Sequence, residues 1–257
     1  MIDYPRLAHI LLSNNSALHE WGQTPSASRV RKSVAKTYHT ASIDGAPLRP
    51  DQQRNTERGA QTRDRILDAA EQIFSQRGYA ATRIEDISTT VGIRKPSVIH
   101  HFAGKLELHN EVMNRIYAAL LVASHVALED TTDSRPAIFR IADAWLNFVA
   151  SRPPAGRLFL RAAVDNSFAT ARIGPEAKEL LDTWTSAVHD VIKRSEFSVT
   201  EPLELLSIFA GAALMFVSIH PWLAGAVEPA SNENGLLEPY RKMLHQSFHA
   251  ILSNDVR

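Results

Sequence analysis

The sequence predicts an all-α protein, with an N-terminal three-helix helix-turn-helix domain at residues 62–109 and a larger C-terminal helical domain at 110–257. Apolar residues recur at intervals of three and four positions in both segments, which is the spacing of a helix face. Proline and glycine mark the short loops between these periodic stretches. No segment alternates apolar and polar residues as a half-buried strand does. We therefore expect a protein built from helices alone.

Residues 1–61 lack this periodicity and mix Ser, Asn, Gln, Thr and Pro. We expect them to form a disordered N-terminal extension, because such a composition buries too little apolar surface to fold. Two alternatives remain open: a basic arm that contacts phosphate groups, or translation from a start codon later than Met1. The arm depends on four cations, which are Arg29, Arg31, Lys32 and Lys36.

The first predicted helix of the small domain has one continuous apolar face. Its members follow the i, i+3, i+4, i+7 spacing and are Ile66, Leu67, Ala69, Ala70, Ile73 and Phe74. Gly78 follows this face, and glycine is the residue that most easily adopts the left-handed conformation that ends a helix. The spacing therefore predicts a helix that ends near Gly78.

The second predicted helix begins at a capping box. Thr82 and Glu85 have the spacing at which a hydroxyl and a carboxylate accept from each other's backbone amides. Ile84 and Ile87 then face the core. Gly92 is the residue that allows the tight turn to the next helix, because it tolerates a positive φ. This pattern is typical of a helix-turn-helix unit.

The third predicted helix opens at Lys95–Pro96, where proline costs no hydrogen bond. Val98 and Phe102 face inward. The outward face carries groups that suit phosphates and base edges, and these are Arg94, Lys95, Ser97, His100 and His101.

Residues 62–109 resemble the DNA-binding domain of the TetR family of bacterial transcriptional regulators. The resemblance is gapless over about fifty residues, and the positions that carry it are Ile66, Leu67, Ala69, Ala70, Phe74, Gly78–Tyr79, Thr82, Ile87, Gly92, His101, Phe102 and Lys105. Two positions depart from the family. Ile99 stands where a phosphate-binding Tyr is usual, and Arg94 stands where Ser is frequent. Arg94 could replace the phosphate contact that Ile99 cannot make.

The resemblance implies a sequence-specific DNA-binding transcriptional regulator, a repressor that a small-molecule effector releases from a near-palindromic operator. The residues expected to contact DNA are Thr82, Arg83, Arg94, Lys95, Pro96, Ser97, His100, His101 and Lys105. It also implies a homodimer paired through the last two long helices. A ligand-independent or architectural DNA-binding protein is the alternative function.

The larger domain reads as six helices, at 104–129, 135–151, 155–169, 174–196, 201–220 and 236–253. The helix at 201–220 is apolar nearly all round and must be covered on most sides. The last helix has a broad apolar face that includes Met243, Leu244 and Phe248. We expect this face to be a partner surface, and the helix at 104–129 to link the two domains.

By resemblance, the larger domain is a ligand-binding and dimerisation domain whose bundle holds the effector. Its inward aromatic residues and a few polar groups are the candidates, and a mainly aromatic wall suits a flat or apolar organic molecule. The expected ligand-binding residues are Tyr117, Trp145, Phe148, Arg161, Asn166, Trp184, His189 and Phe216. For any single aromatic residue, an ordinary place in the core is the alternative.

Several other classes are unsupported. The chain has no cysteine, so disulfides and thiol chemistry are excluded. It contains no nucleophile elbow, Walker loop or dinucleotide fingerprint, so we expect no enzyme and no cofactor. His245 and His249 lie four residues apart, but no third ligand accompanies them, and we expect no metal.

The charge distribution favours a local DNA contact over a uniformly basic coat. Net charge is +3 over residues 1–61, +1 over 62–110 and −4 over 111–257. We see no apolar run of membrane-spanning length and no signal peptide. We therefore expect a cytoplasmic protein without a membrane partner.

Overall fold

A computed structural model describes residues 50–164, 174–192, 202–227 and 237–252. These residues form helices and no strand, which confirms the all-α class for the described part of the chain. The helices are α1 (Pro50–Ala81), α2 (Ile84–Val91), α3 (Lys95–His101), α4 (Lys105–Glu129), α5 (Ala137–Ser151), α6 (Pro153–Val164), α7 (Pro175–Ile192), α8 (Pro202–Val227) and α9 (Leu237–Leu252).

The N-terminal part of α1 corrects one expectation. Residues 50–61, assigned from composition to a disordered extension, form the first turns of α1. The backbone of a helix satisfies its own hydrogen bonds, so a polar segment can extend a helix that is anchored further along. The four cations of the expected basic arm lie outside the described residues.

The chain divides into two compact units. The described part of the first unit comprises 50–116 and 157–164, and the second comprises 117–156, 174–192, 202–227 and 237–252. The boundaries fall inside α4, after Ile116, and inside α6, before Arg157. The first unit therefore contains more than the helix-turn-helix segment, because it also includes the first half of α4 and most of α6.

The first unit has one apolar core shared by α1 to α4. Its largest fully buried side chains are Ile66, Phe74, Ile87, Val98, Phe102, Leu108, Val112 and Ile116. A buried ion cluster also joins α4 to α1. Arg115 binds Asp68 at 2.6 Å and Glu71 at 2.9 Å, and both Arg115 and Glu71 are nearly inaccessible. Removing one partner of such a cluster is strongly destabilising, because it leaves a buried charge unpaired.

The end of α1 bends at Gly78, whose φ of 79° interrupts the helical backbone. Arg161 of α6 binds the carbonyls that this bend leaves free. Its guanidinium donates to Ser75 O at 3.1 Å and to Gln76 O at 2.7 Å. A Cβ at position 78 would lie 3.1 Å from Arg161 Nη1. Glycine is therefore required here both for its φ and for this close approach.

In the second unit, α5 packs against α7, α8 and α9. Its seven buried residues, all apolar, follow helical spacing and include Trp145, Leu146 and Val149. Phe209 of α8 meets Phe248 of α9 edge to face, with ring centroids 4.8 Å apart. The core of this unit is therefore centred on α5.

α8 is more apolar and less covered than expected. The window Pro202–Ile219 has a mean hydropathy of 1.9, which is long and apolar enough to span a membrane by length and composition alone. The expectation that no such run exists was wrong. Only 22% of the window is buried within the chain. Ile208 and Met215 are 57% and 49% exposed.

Candidate DNA-binding surface

The turn between α2 and α3 is built by Gly92. Its φ of 74° and ψ of 33° are left-handed, and Ile93 N donates to Ser88 O at 3.0 Å across the end of α2. Arg65 of α1 donates to the carbonyl of Val91 at 2.6 Å. Ser88 O and Val91 O, two carbonyls at the end of α2, thereby receive hydrogen bonds at the turn that leads into α3.

α3 presents a polar outward face because its two apolar anchors point the other way. Val98 and Phe102 are fully buried against α1 and α2. The exposed residues of the helix lie on the opposite side and its flanks, and they are Lys95, Pro96, Ser97, Ile99 and His100. A helix-turn-helix protein reads DNA with such a face.

An open concavity of about 510 Å³ lies along this face. It is lined by Pro96, Ser97, His100 and His101 from α3, Ile93 from the turn, and Thr62 from α1. The structure thus brings together four of the residues expected to contact DNA. Thr62 and Ile93 were missed, because the proximity of α1 to α3 is a tertiary feature with no local sequence signal.

The cations at this surface differ in their availability. Arg83 and Arg94 are exposed, and within the described part of the chain neither forms an ion pair. Lys95 Nζ lies 2.7 Å from Glu85 Oε1, and this hydrogen bond is the main reason why the pKa of Glu85 is lowered. The pair is exposed, so it costs little to exchange it for a phosphate.

Thr82 offers DNA its backbone and not its side chain. The side chain is buried and its hydroxyl donates to Gly78 O at 2.7 Å, so a phosphate contact through the amides at the start of α2 stays a prediction. The expected capping box is wrong by one residue. Arg83 is the N-cap of α2, and its amide donates to Asp86 Oδ2 at 3.1 Å. Glu85 is consequently free to bind Lys95.

Lys105 is engaged within the unit. Its ammonium donates to the carbonyl oxygens of Tyr79 at 2.9 Å, Thr82 at 3.0 Å and Ala80 at 3.3 Å. It also lies 4.4 Å from the centre of the Tyr79 ring. An ammonium has three protons, and all three have acceptors here. A phosphate contact of Lys105 would require at least one of these bonds to break. The bonds of the free protein favour a positioning role, and the phosphate contact stays a prediction.

His100 and His101 are neighbours on the DNA-facing surface, with ring centroids 5.6 Å apart. The pKa of His101 is lowered from 6.5, first by partial burial and then by the nearby charges of His100 and Arg63. The lowered pKa favours the neutral ring of His101 in the free protein, and a neutral ring has one donor and one acceptor nitrogen.

The expected effector residues are only partly brought together. Trp145 and Trp184 are buried and meet edge to face at 5.7 Å. Their indole N–H groups donate to Ala210 O at 3.3 Å and to Ser124 Oγ at 2.9 Å. Phe148 is buried nearby on α5. These contacts describe a satisfied aromatic core.

The remaining aromatic candidates lie on other helices of the second unit. Burial raises the pKa of Tyr117 to about 12. Phe216 stacks on Tyr240, with ring centroids 3.7 Å apart and planes 8° from parallel. Two surface concavities lie among the described residues, one at α3 and one beside His189, and neither is lined by Tyr117, Phe216 or the tryptophans.

The three polar residues expected to bind an effector lie in different places. Arg161 belongs to the first unit, where its guanidinium binds carbonyls of α1, and its expected ligand role stays a prediction. His189 is exposed and lines a shallow open groove with Asp182, Thr185, Ser186 and Pro202. Asn166 lies outside the described residues.

The described residues contain no group of three or more His, Cys, Asp or Glu arranged to hold a metal ion. His245 instead binds Asp143, with Nε2 and Oδ1 2.8 Å apart. Asp143 also binds Arg135 and Arg241 at 2.7 and 2.9 Å, and it joins α5 to α9. No sequence pattern indicated this cluster, because its members on α5 and α9 are about a hundred residues apart along the chain.

Comparison with known proteins adds independent evidence. Residues 66–112 match the sequence model of the bacterial regulatory proteins of the tetR family. The match covers the second part of α1, all of α2 and α3, and the beginning of α4.

Two relatives are regulators with opposite effects. The chain is 31% identical over 133 residues to the transcriptional activator FasR of Mycolicibacterium smegmatis, across 51% of this chain and 59% of FasR. It is 35% identical over 77 residues to the transcriptional repressor NicS of Pseudomonas putida, across 30% of this chain and 36% of NicS. The chain thus spans less than two thirds of each relative.

The fold is shared more widely than the sequence. SCO4942 from Streptomyces coelicolor, described as a transcriptional regulator, superposes with a TM-score of 0.56 at 20% identity. The superposition covers 72% of this chain and 97% of SCO4942. At this identity the likeness concerns the fold alone.

Proposed function

Because this chain belongs to the TetR family of bacterial regulatory proteins, we propose that it is a cytoplasmic, homodimeric transcriptional regulator that binds a specific DNA sequence. The observation that carries the proposal is the outward face of α3. Ser97 and His100 are exposed there and line an open concavity, and the nearby arginines Arg83 and Arg94 are exposed and form no ion pair with any residue that the structure describes. Hydroxyl and imidazole groups suit base edges, and free guanidinium groups suit phosphates.

Lys95 and Glu85 would act together in recognition. In the free protein, Glu85 holds the Lys95 ammonium at the first turn of α3. A phosphate or a guanine edge would replace this carboxylate when DNA binds. Glu85 therefore orients Lys95 before binding and opposes non-specific attraction to the DNA backbone.

DNA selection tests the proposed function. The purified protein would be used to select duplexes from a random-sequence library in the presence of unrelated competitor DNA. We expect an enriched, near-palindromic site whose half-sites lie about one helical turn apart, because each subunit of a dimer presents one α3 to the major groove. Enrichment of no sequence would contradict the proposal.

The uncovered side of α8 supports the homodimer. Its exposed stripe contains Ile208 and Met215, with Gly211 between them. A Cβ placed on Gly211 would meet nothing within 4 Å, so the gap in the stripe is open to a partner. Met243 on α9 is 54% exposed. A second copy would cover this face, as apolar surfaces of this kind are usually covered in closed symmetric dimers.

The dimer interface expected on the last helix, α9, would involve fewer residues than predicted. Leu244 and Phe248, expected to face a partner, are 5% and 3% exposed and belong to the core of their own chain. Among the apolar side chains of that face that the structure describes, Met243 is the most exposed. A dimer surface formed by α8 and α9 would thus use Met215 and Met243.

We further propose that a small-molecule effector binds in the second unit and releases the protein from its operator, as a repressor requires. Trp145, Phe148 and Trp184 pack as core in the free protein, and their aromatic character would suit an apolar or flat ligand if the core opened to admit one. Coupling requires the effector to prefer the state that does not bind DNA. α4 contributes residues to both units and is the proposed link. Screening compounds for release of the selected duplex tests this step.

The direction of regulation has a separate test. A reporter gene placed behind the selected site should be silenced by the protein and restored by an effector that releases it. Increased expression in the presence of the protein would instead indicate an activator. Binding that no compound alters would favour the alternative of a ligand-independent or architectural DNA-binding protein.

A further inference from the structure

α1 extends well beyond the part of the chain that matches the family. The family match begins at residue 66, whereas α1 begins at Pro50. At a rise of about 1.5 Å per residue, this part of α1 adds roughly 24 Å of helix. The added turns therefore have ample length to continue past the surface formed by α3.

The added turns begin on the DNA-facing side of the unit. Thr62 lines the same concavity as Pro96, Ser97 and His100 of α3. Its hydroxyl donates to the carbonyl of Arg58, one turn earlier, at 2.9 Å. Residues four apart share a helix face, so Arg58 lies on the side of α1 that borders the concavity.

Among the arginines at this end of α1 whose side chains the structure describes, Arg58 is the available one. Arg63 binds Glu111 and lies 4.8 Å from the centre of the Phe102 ring. Arg65 donates to Val91 O at 2.6 Å. Arg58 is exposed, and among the residues whose side chains the structure describes, its guanidinium has no ion-pair partner.

We propose that Arg58 binds a DNA phosphate on the flank of the half-site that α3 reads, so that the extended α1 lengthens the contacted DNA. This inference rests on the proposed function and names a contact additional to it. A planar guanidinium suits a phosphate, and such contacts fix position without reading sequence. Arg58 thus sets how far the footprint extends and leaves the choice of base sequence to α3.

The test compares Arg58→Ala with Arg58→Lys on two duplexes. Both carry the site that the wild-type protein selects from a random library. The long duplex adds about one helical turn, 10 bp, on each side, and the short duplex ends at the half-sites. The dissociation constant is measured at several salt concentrations for each combination, and phosphate ethylation interference locates the contacted phosphates.

On the long duplex, Arg58→Ala should bind several-fold more weakly. The slope of the logarithm of its affinity against the logarithm of salt concentration, the salt slope, should be shallower by about 0.9 per subunit. Arg58→Lys should keep the slope, because it retains the charge. On the short duplex the wild-type and Arg58→Ala proteins should bind equally. Ethylation of a flanking phosphate should weaken DNA binding by the wild-type protein but not by the Arg58→Ala variant.

Two results would overturn the assignment of Arg58 alone. One is an unchanged salt slope on the long duplex, and the other is an equal loss on both duplexes, which would put the contact inside the half-site. If the wild-type protein binds no duplex selectively, the proposed function and the Arg58 contact both fail.

Discussion

The ammonium group of Lys105 shows how partners decide the role of a single residue. A lysine at the start of α4, beside a DNA-binding face, has the position of a phosphate ligand. Its actual acceptors are the carbonyls of Tyr79, Ala80 and Thr82, which lie 26, 25 and 23 residues away in sequence. Sequence spacing predicted where Lys105 lies but not these acceptors, because they depend on the bend at Gly78.

Replacing Lys105 with Met should therefore loosen the corner between α1 and α2. We expect the free energy of unfolding to fall by about 1–3 kcal/mol, since the hydrogen bonds of a charged donor are lost. DNA affinity should fall for all sequences while its salt slope stays unchanged. Denaturant unfolding and salt titration measure both quantities. Lys178→Met, an exposed lysine on α7, is the control. If the salt slope were reduced by about one per subunit and the free energy of unfolding were unchanged, the result would instead indicate that Lys105 contacts a phosphate.

His101 gives the DNA surface a pH dependence whose sign follows from its lowered pKa. In the free protein, protonation is opposed by burial, His100 and Arg63, so the stability contributed by this site falls as pH drops below 6.5. A phosphate nearby would favour the protonated ring, so DNA binding should take up a proton and tighten as pH falls from 8 towards 6. His101→Gln should flatten this dependence. An equally steep profile in that variant would assign the effect elsewhere.

At the scale of elements, periodicity predicted the helices well and their ends less well. Thr82 with Glu85 and Arg83 with Asp86 have the same three-residue spacing, so the sequence alone does not decide the N-cap of α2. At the bend, the Thr82 hydroxyl donates to the Gly78 carbonyl. Thr82 therefore does not cap α2, and Arg83 does. The polar residues 50–61 were assigned to no element because they have no apolar face, yet they continue α1.

The exposed stripe of α8 makes a prediction about assembly. Met215→Lys should produce monomers, because a charge would be buried at the centre of the proposed interface without a partner. The monomer should stay folded, since Met215 is half exposed in the single chain. Sedimentation measures the assembly and circular dichroism the fold. The matched control is Leu181→Lys, which changes an exposed leucine on α7 that is 42% accessible. A dimeric Met215→Lys protein would place the interface elsewhere.

For the whole molecule, the sequence predicted the helical class and the exposure of most of the residues proposed to contact DNA. These follow from local patterns: apolar spacing, Gly92, and exposed polar residues on α3. The effector residues were harder to predict because burial does not separate a core aromatic from a ligand contact. Trp145 and Trp184 are in contact, whereas Arg161 is held by α1. The inward faces of several helices must be known before a ligand site can be assigned.

The outward face of α3 is the surface proposed to read a specific DNA sequence. The most direct test is the affinity ratio between the selected duplex and a scrambled duplex of equal length, for the wild-type protein and His100→Ala, at one salt concentration. We predict that the wild-type protein binds the selected duplex at least about 10³-fold more tightly, with two chains per duplex. His100→Ala should lose about 1–3 kcal/mol of this discrimination. Equal wild-type affinity for both duplexes would contradict the account.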